Sequence, residues 1–309
     1  KGETVSRAGS KANNCLEKVV FAGLNKARIF SEKLSVQGLA PTMDFITRDF
    51  LTDETPFMVV VVGNAPKEIY QSSTGMSDMV GNFIDRLYTV GPIKSNRAVF
   101  VRTLDFMKDF YLDGKEPVMG LAQVKKEEAI ENQAPGSQKS QKSSDTGVGS
   151  SSSASYKETN AKTSNHLVYE GLAAFKQDKL VGYMNGTETM AYNLITNNFG
   201  YSSLIVPVQK DPVAFSMENG KNNVKTVVDE NGQVTINLDM KVRLSIRQIN
   251  NLSLDIRKEK VIQMLEQLVN RHLQEEIQSA VLKAQKQFQS DIFGFGVFVH
   301  AQHPKEFQK

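Results

Sequence analysis

The side chains best equipped for chemistry are four histidines, one cysteine, a few carboxylates close in sequence and a Gly-x-Gly near the end of the chain. His300 and His303 stand at a spacing two metal ligands can share, but no cysteine accompanies them. A zinc site needs three or four convergent ligands, and this pair sits beside Pro304 at the end of an expected terminal strand. His166 has no such neighbour, and His272 falls one residue off an apolar helical stripe, the place of a flanking, partly buried histidine. Glu275 and Glu276 are consecutive, so on a helix they point to different faces and do not form an acid–base pair. Asp44, Asp49 and Asp53 bring a calcium loop to mind, yet its glycine and its terminal glutamate are missing. Neither a Gly-x-Ser-x-Gly elbow nor a Walker-type loop occurs. Gly294 and Gly296 lie in an expected strand with no helix behind it, which is not a dinucleotide fingerprint. Enzymatic activity has no positive support, and no metal or cofactor is implied. Cys15 follows Lys11-Ala12-Asn13-Asn14, which lacks the apolar run and small-residue box of a lipid-attachment site. It reads as a semi-buried helix cysteine.

The elements that would position these groups belong to a chain of 309 residues, long enough for two domains, with three as the alternative. Its 40% hydrophobic and 23% charged residues are ordinary for a globular protein. A net charge of +3, from 37 basic and 34 acidic residues, with no concentrated basic run, argues against nucleic acid as a partner. The most apolar segment, Phe57–Val62, is strand-sized and too short to span a membrane. The chain begins at Lys1 without a methionine or signal peptide, so it reads as a processed or trimmed fragment, and the missing targeting signal does not locate it.

The sharpest change in composition is Gln133–Asn165, dominated by Ser, Lys, Gln and Gly and expected to be a flexible linker. It divides the chain into an N-terminal α/β region, 1–132, and a C-terminal α+β region, 166–309. The first is open to a further division near 72–76, and a tethered loop inside one domain is the competing reading of the tract. Within 1–132, helices are expected over Cys15–Gly23, Leu39–Phe50, Pro66–Gln71, Met76–Tyr88 and Ala98–Tyr111. Strands are expected over Arg28–Ser31, Phe57–Val62 and Pro117–Val124. The β-branched run FMVVVV is the mark of a strand buried on both faces.

In the second region, Tyr169–Asn185 reads as a hairpin around Lys176-Gln177-Asp178-Lys179. A helix follows, announced by the capping-box spacing of Asn185 and Glu188 and closed by Gly200. Apolar residues alternate from Val234 to Ile246, a long strand with one face buried. Asn231-Gly232 before it suggests a tight turn to a partner strand at Val224–Val228, with Val213–Met217 as a further strand. Leu265, Val269, Leu273, Ile277, Val281, Ala284 and Phe288 mark one stripe between Asp255 and Gln289, either one helix of about 50 Å or two shorter ones. Asp291–Val299 is expected as a closing strand.

Three segments resemble the Ger(x)C family, the lipid-anchored C subunits of nutrient germinant receptors in endospore-forming bacteria. In the first, GLAPTMDFITRDF followed by FMVVVVGNAPKEIY, the matching positions are Gly38, Leu39, Asp44, Arg48, Asp49, Ala65, Glu68 and Ile69. In the second, GLAAFKQDKLVGYMNGTE, they are Ala173, Phe175, Lys176, Asp178, Lys179, Leu180, Val181, Gly182 and Glu188. In the third, KAQKQFQSDIFGFG, they are Lys283, Gln285, Asp291, Gly294 and Gly296. The long Ser-rich tract and the absent lipobox cysteine depart from the family pattern.

The resemblance implies an α+β fold of two or three domains, each a mixed or antiparallel sheet surrounded by helices. It implies a non-enzymatic receptor subunit, without cofactor, beside the A-type and B-type membrane subunits. It also implies attachment to the outer face of the spore inner membrane through an N-terminal lipid anchor missing from this chain. The matched residues are expected to serve core and turn positions. A small-molecule module that captures the germinant is the alternative, and a cell-surface hydrolase a third reading that needs a titratable triad in a cleft.

Overall fold

The computed structural model describes residues 4–14, 23–48, 53–63, 66–70, 72, 79–89, 96–126, 165–208, 211–250 and 254–307. The first part forms α1 (Val5–Asn13), β1 (Ala27–Ser31), α2 (Glu32–Gln37), α3 (Ala40–Arg48), β2 (Phe57–Val61), α4 (Pro66–Tyr70), α5 (Val80–Thr89), α6 (Thr103–Tyr111) and β3 (Val118–Lys126). After residue 164 come β4 (Asn165–Lys176), β5 (Lys179–Met184), α7 (Gly186–Ile195), β6 (Ser202–Val208), β7 (Asp211–Val228) and β8 (Val234–Ile249). The chain ends in α8 (Glu259–Lys283), which continues as a π-helical turn over Ala284–Phe288, then α9 (Phe295–Gln302) and α10 (Pro304–Phe307). The expected helix at Cys15–Gly23, with Cys15 itself, falls on 15–22, outside the described residues, as do Asp49 and Ala65.

Five strands form one mixed sheet in the order β1-β2-β3-β4-β5, the first three parallel and the last two antiparallel. Every residue of β2 is buried, because successive side chains of a strand point to opposite faces and both faces are covered. Met58 and Val60 enter a core with Phe30, Met43, Phe106 and Phe175. Phe57, Val59 and Val61 enter another, with Ile69, Val80 and Ile84. Strands from both sides of 127–164 share this sheet, since β3 pairs with β4 from Val118↔Ala174 to Lys126↔Asn165.

The second sheet is antiparallel, in the order β6-β7-β8. α7 lies between the sheets with eight of its ten residues buried. Its Met190 and Leu194 pack with β6, β7 and the α8 stripe Leu265, Val269 and Leu273. Its Ala191, Tyr192 and Ile195 pack with β4, β5, Phe288 and Phe293. One mixed and one antiparallel sheet, each flanked by helices, make an α+β fold.

Several expectations are corrected. The expected helix Ala98–Tyr111 begins only at Thr103, because Ala98 and Arg102 bridge in extended form to Gly171 and Phe57; Leu104 is left 56% exposed. The helix expected from Met76 begins, among described residues, at Val80 and leaves Met79 exposed. Gly200 is not a helix cap: α7 ends at Ile195, and the Gly200 N–H donates to Asn96 Oδ1 at 2.9 Å. Val213–Met217 and Val224–Val228 are parts of one strand, β7. The turn at Asn231-Gly232 is wider than a two-residue one, since only Gly232 has positive φ and Asp229 Oδ1 accepts from the N–H groups of Asn231 and Gln233. The inward row of β8 is half-buried rather than buried, because β8 is an edge strand. Asp291–Val299 is a turn followed by α9, not a strand.

Candidate functional site

The three family-like segments meet on the hairpin β4–β5. At its tip, Gln177 takes a left-handed φ of 54°. The Asp178 carboxylate accepts from the Ala40 N–H at 2.9 Å, and the Asp178 carbonyl accepts from the Leu39 N–H at 2.9 Å. These are orphan donors at the start of α3, so a residue 138 positions away caps that helix in trans. Gly38 is the only residue type that fits there: its φ is +120°, and a Cβ would stand 2.5 Å from Asp178 Oδ2. Lys176 and Lys179, on either side of the tip, are exposed. Arg48 is also at the surface, its Nε 2.8 Å from Asp44 Oδ1 one helical turn back.

The flank of the hairpin meets the third segment. Glu188 completes the capping box with Asn185, whose N–H donates to Glu188 Oε2 at 2.8 Å. The Lys283 ammonium donates to both oxygens of the same carboxylate, at 2.9 and 2.7 Å, with both side chains mostly buried. A Cβ on Gly182 would stand 2.3 Å from the Phe288 ring, so β5 and the end of α8 touch with no room for a side chain. Phe175 is wholly buried, edge-on to Phe106 at 5.4 Å, and its carbonyl accepts from Ser290 Oγ at 2.5 Å.

Asp291 is the N-terminal anchor of α9. Its two carboxylate oxygens accept from the N–H groups of Phe295 (3.0 Å) and Gly296 (2.7 Å), while its carbonyl accepts from Glu116 N–H at 2.9 Å. Gly294 makes the turn with a φ of +73°. These contacts turn the apolar run into a helix start, and they correct the Gly-x-Gly reading: a helix does follow, but Asp291 itself fills the N-terminus a phosphate would need. Burial pushes the Asp291 carboxyl above its usual range, against the pull of the Gly296, Phe295 and Gly294 N–H groups and of Lys115. A Cβ on Gly296 would stand 2.7 Å from Gly114 Cα, so two backbones pack directly and tie α9 to the loop after α6.

Among the described residues, no three His, Cys, Asp or Glu are gathered as a metal site. His303 instead donates from Nε2 to the Thr226 carbonyl at 3.0 Å, and His272 is half-buried on α8. Asp53 is occupied by Thr55, whose N–H and Oγ1 both donate to it. Sequence reasoning missed a cleft of about 400 Å³ lined by Asn96, Phe100, Asn193, Asn198 and Phe199. Asn193 donates to the carbonyls of Asn96 and Ala98, leaving its buried Oδ1 without a partner among the described residues. The polar Asn193, set in sequence among the apolar Met190, Ala191, Leu194 and Ile195, was the available signal. No helix among the described residues is long and apolar enough to cross a membrane.

Comparison with known proteins agrees with this arrangement. The family model described as "Spore germination protein N-terminal domain" matches residues 1–124, and that described as "Spore germination B3/ GerAC like, C-terminal" matches residues 170–309. The chain is 21% identical to the spore germination protein YfkR of Bacillus subtilis (strain 168) over 295 residues, 95% of this chain and 67% of that protein. Its fold is similar to the crystal structure of the GerBC protein, with a TM-score of 0.62 and 14% identity over 94% of this chain and 74% of the other. The chain therefore belongs to the Ger(x)C family of spore germination proteins, the C subunits of germinant receptors.

Proposed function

We propose that this chain is a non-enzymatic, lipid-anchored subunit of a spore nutrient germinant receptor, working by protein–protein contact in receptor assembly and signalling. Its partners are the A-type and B-type membrane subunits, and its place is the outer face of the spore inner membrane. The observation that supports this reading most is what the family's motif residues do. Asp178 and Asp291 cap helices, Lys283 pairs with Glu188, and Gly182 and Gly296 permit close packing, so these residues serve the scaffold. What remains for function is the exposed surface. In this proposal the units 1–132 and 166–309 act as one body, because β4 and β5 of the second complete the sheet of the first.

The test is a pull-down of the lipid-anchored full-length protein from spore inner membranes, with partners identified by mass spectrometry. Two receptor-type membrane subunits are expected; recovery of neither after crosslinking overturns the proposal. The cleft at Asn193 favours a second reading, direct capture of a small germinant. A melting temperature raised by one member of a panel of amino acids and sugars, and no longer raised in Asn198→Ala, would select it.

A further inference from the structure

The β7–β8 hairpin has two edges, and the fold treats them oppositely. Beyond Met217, β7 has no strand on its β6 side among the described residues, and backbone groups there are taken by side chains. Asn222 N–H donates to Asn197 Oδ1 (2.7 Å) and its carbonyl accepts from Asn197 Nδ2 (3.1 Å). Gln302 accepts from Thr226 N–H (2.9 Å) and donates to the Val224 carbonyl (3.2 Å), while His303 donates to the Thr226 carbonyl. Residues 222, 224 and 226 alternate, as the outward groups of a strand must. Amide and imidazole side chains thus stand in for a missing strand.

The same alternation settles what β8 presents. Since 222, 224 and 226 point away from β8, the hydrogen-bonded pairs of the ladder are Lys221↔Lys241, Asn223↔Asp239 and Lys225↔Asn237. Their neighbours on β8, Ile236, Leu238 and Met240, therefore aim their N–H and C=O groups at the far edge. No strand, helix or side chain among the described residues takes these groups. On the inward face, the side chains of the same three residues are only half-buried. On the outward face, the exposed Lys221, Lys225, Lys241 and Arg243 outnumber one exposed carboxylate, Asp239; the four make no ion pair among the described residues, and Lys221 lies directly opposite Lys241.

We propose that the open edge of β8 takes an extended segment of another protein, alternately apolar and acidic, as a fourth strand of the second sheet. Backbone groups of Ile236, Leu238 and Met240 supply the ladder, apolar side chains of the guest finish covering their row, and its carboxylates meet Lys241 and Arg243. The chain's own Ser-rich tract lacks that pattern: it carries Lys139, Lys142, Lys157 and Lys162 against Asp145 and Glu158 and scarcely an apolar side chain. A second copy would bring the same four basic side chains onto one enlarged face. Lysines on an edge also deter aggregation, and deterrence alone predicts no ladder with any peptide. The inference rests on the reading of this chain as a protein-contact subunit, but not on which proteins it contacts.

The experiment is residue-resolved amide hydrogen exchange on the full chain, with and without a short peptide of alternating valine and glutamate. The amides of Ile236, Leu238 and Met240 are expected to exchange fast in the free chain and slowly with the peptide. Binding should weaken at least about tenfold in Lys241→Glu/Arg243→Glu and return with a valine–lysine peptide. Absence of binding overturns the proposal, as does binding that leaves those three amides unprotected. So does protection in the free chain: if independent of concentration, the chain covers its own edge, and if it grows with concentration, a second copy does. Failure of the membrane pull-down with amide protection intact would sink the receptor reading and leave the edge standing.

Discussion

In the five-stranded sheet, β2 has helices over both faces and strands along both edges, and all five of its residues are buried. In the three-stranded sheet, β8 has one strand beside it among the described residues, and its inward row from Ile236 to Ile246 is half-buried beneath α8. The first sheet therefore commits β2 wholly to the core. The second holds itself together with a long hairpin and leaves an edge and a face for contact. The hairpin β4–β5 belongs to the first sheet, yet it packs on α7 and the end of α8, so it transmits the order of one region to the other.

A charge placed in each sheet should separate the two most sharply. Val59→Asp puts an unpaired carboxylate where the side chain has no exposure, and should cost about 4 kcal/mol or more, enough to abolish cooperative folding. Leu238→Asp lies in the half-buried row of β8 and should cost about half as much, leaving a folded protein. Urea unfolding followed by circular dichroism reads both. Equal losses would show that β8 is as deeply committed to a core as β2.

The next largest effect tests the tie between the regions. Gly182→Ala drives a methyl into the Phe288 ring, and Gly296→Ala drives one into the Gly114 backbone. A ring at the end of a side chain has more freedom to shift than a backbone, so Gly296→Ala should cost more, about 3 kcal/mol against about 1–2. The reverse order in thermal melts would place the rigid contact at Phe288 instead.

Much of this was legible wherever the signal was local. The run FMVVVV, the turn at Gln177-Asp178, the capping box of Asn185 and Glu188 and the alternation in β8 each declare themselves within a few residues, and each forms the expected element. Asp291–Val299 misled because Ile292, Phe293 and Phe295 are apolar without a clear period, so the Asp291 cap and the left-handed Gly294 decide for a helix. The expectation of a buried face on β8 failed because alternation shows which side faces inward but not whether a neighbouring strand completes the cover. The capping of α3 by Asp178, and of the β7 edge by Gln302 and His303, joins residues 138, 76 and 77 positions apart. Nothing in either local sequence announces such a partner.

A smaller effect comes from the Asp291 carboxyl, whose folded value lies above its ordinary one through burial. Such a group binds its proton more tightly in the folded state, so its contribution to stability grows as pH falls from neutrality through the folded value toward the unfolded one. Asp291→Asn cannot titrate and should lack that increment, besides losing part of the α9 cap. Melting of both proteins between neutral and mildly acidic pH should show the wild type gaining on the variant as pH falls. A gap that instead narrows would mean that the hydrogen bonds outweigh burial at this site.

The smallest effect is the most telling for the exposed face of the second sheet. Lys221 and Lys241 are directly opposite in a hydrogen-bonded pair, where like charges repel, and neither has an ion-pair partner among the described residues. Lys241→Ala should therefore leave the fold intact and raise the melting temperature by about 1–2 °C at low ionic strength, an increment that added salt removes. Asn237→Ala, on the same face but uncharged, should show no salt-dependent change. A face that served only the fold would lose stability on losing Lys241. A repulsive pair relieved by the substitution is instead what a surface awaiting negative charge would show, because a bound carboxylate relieves the same repulsion that salt can only screen.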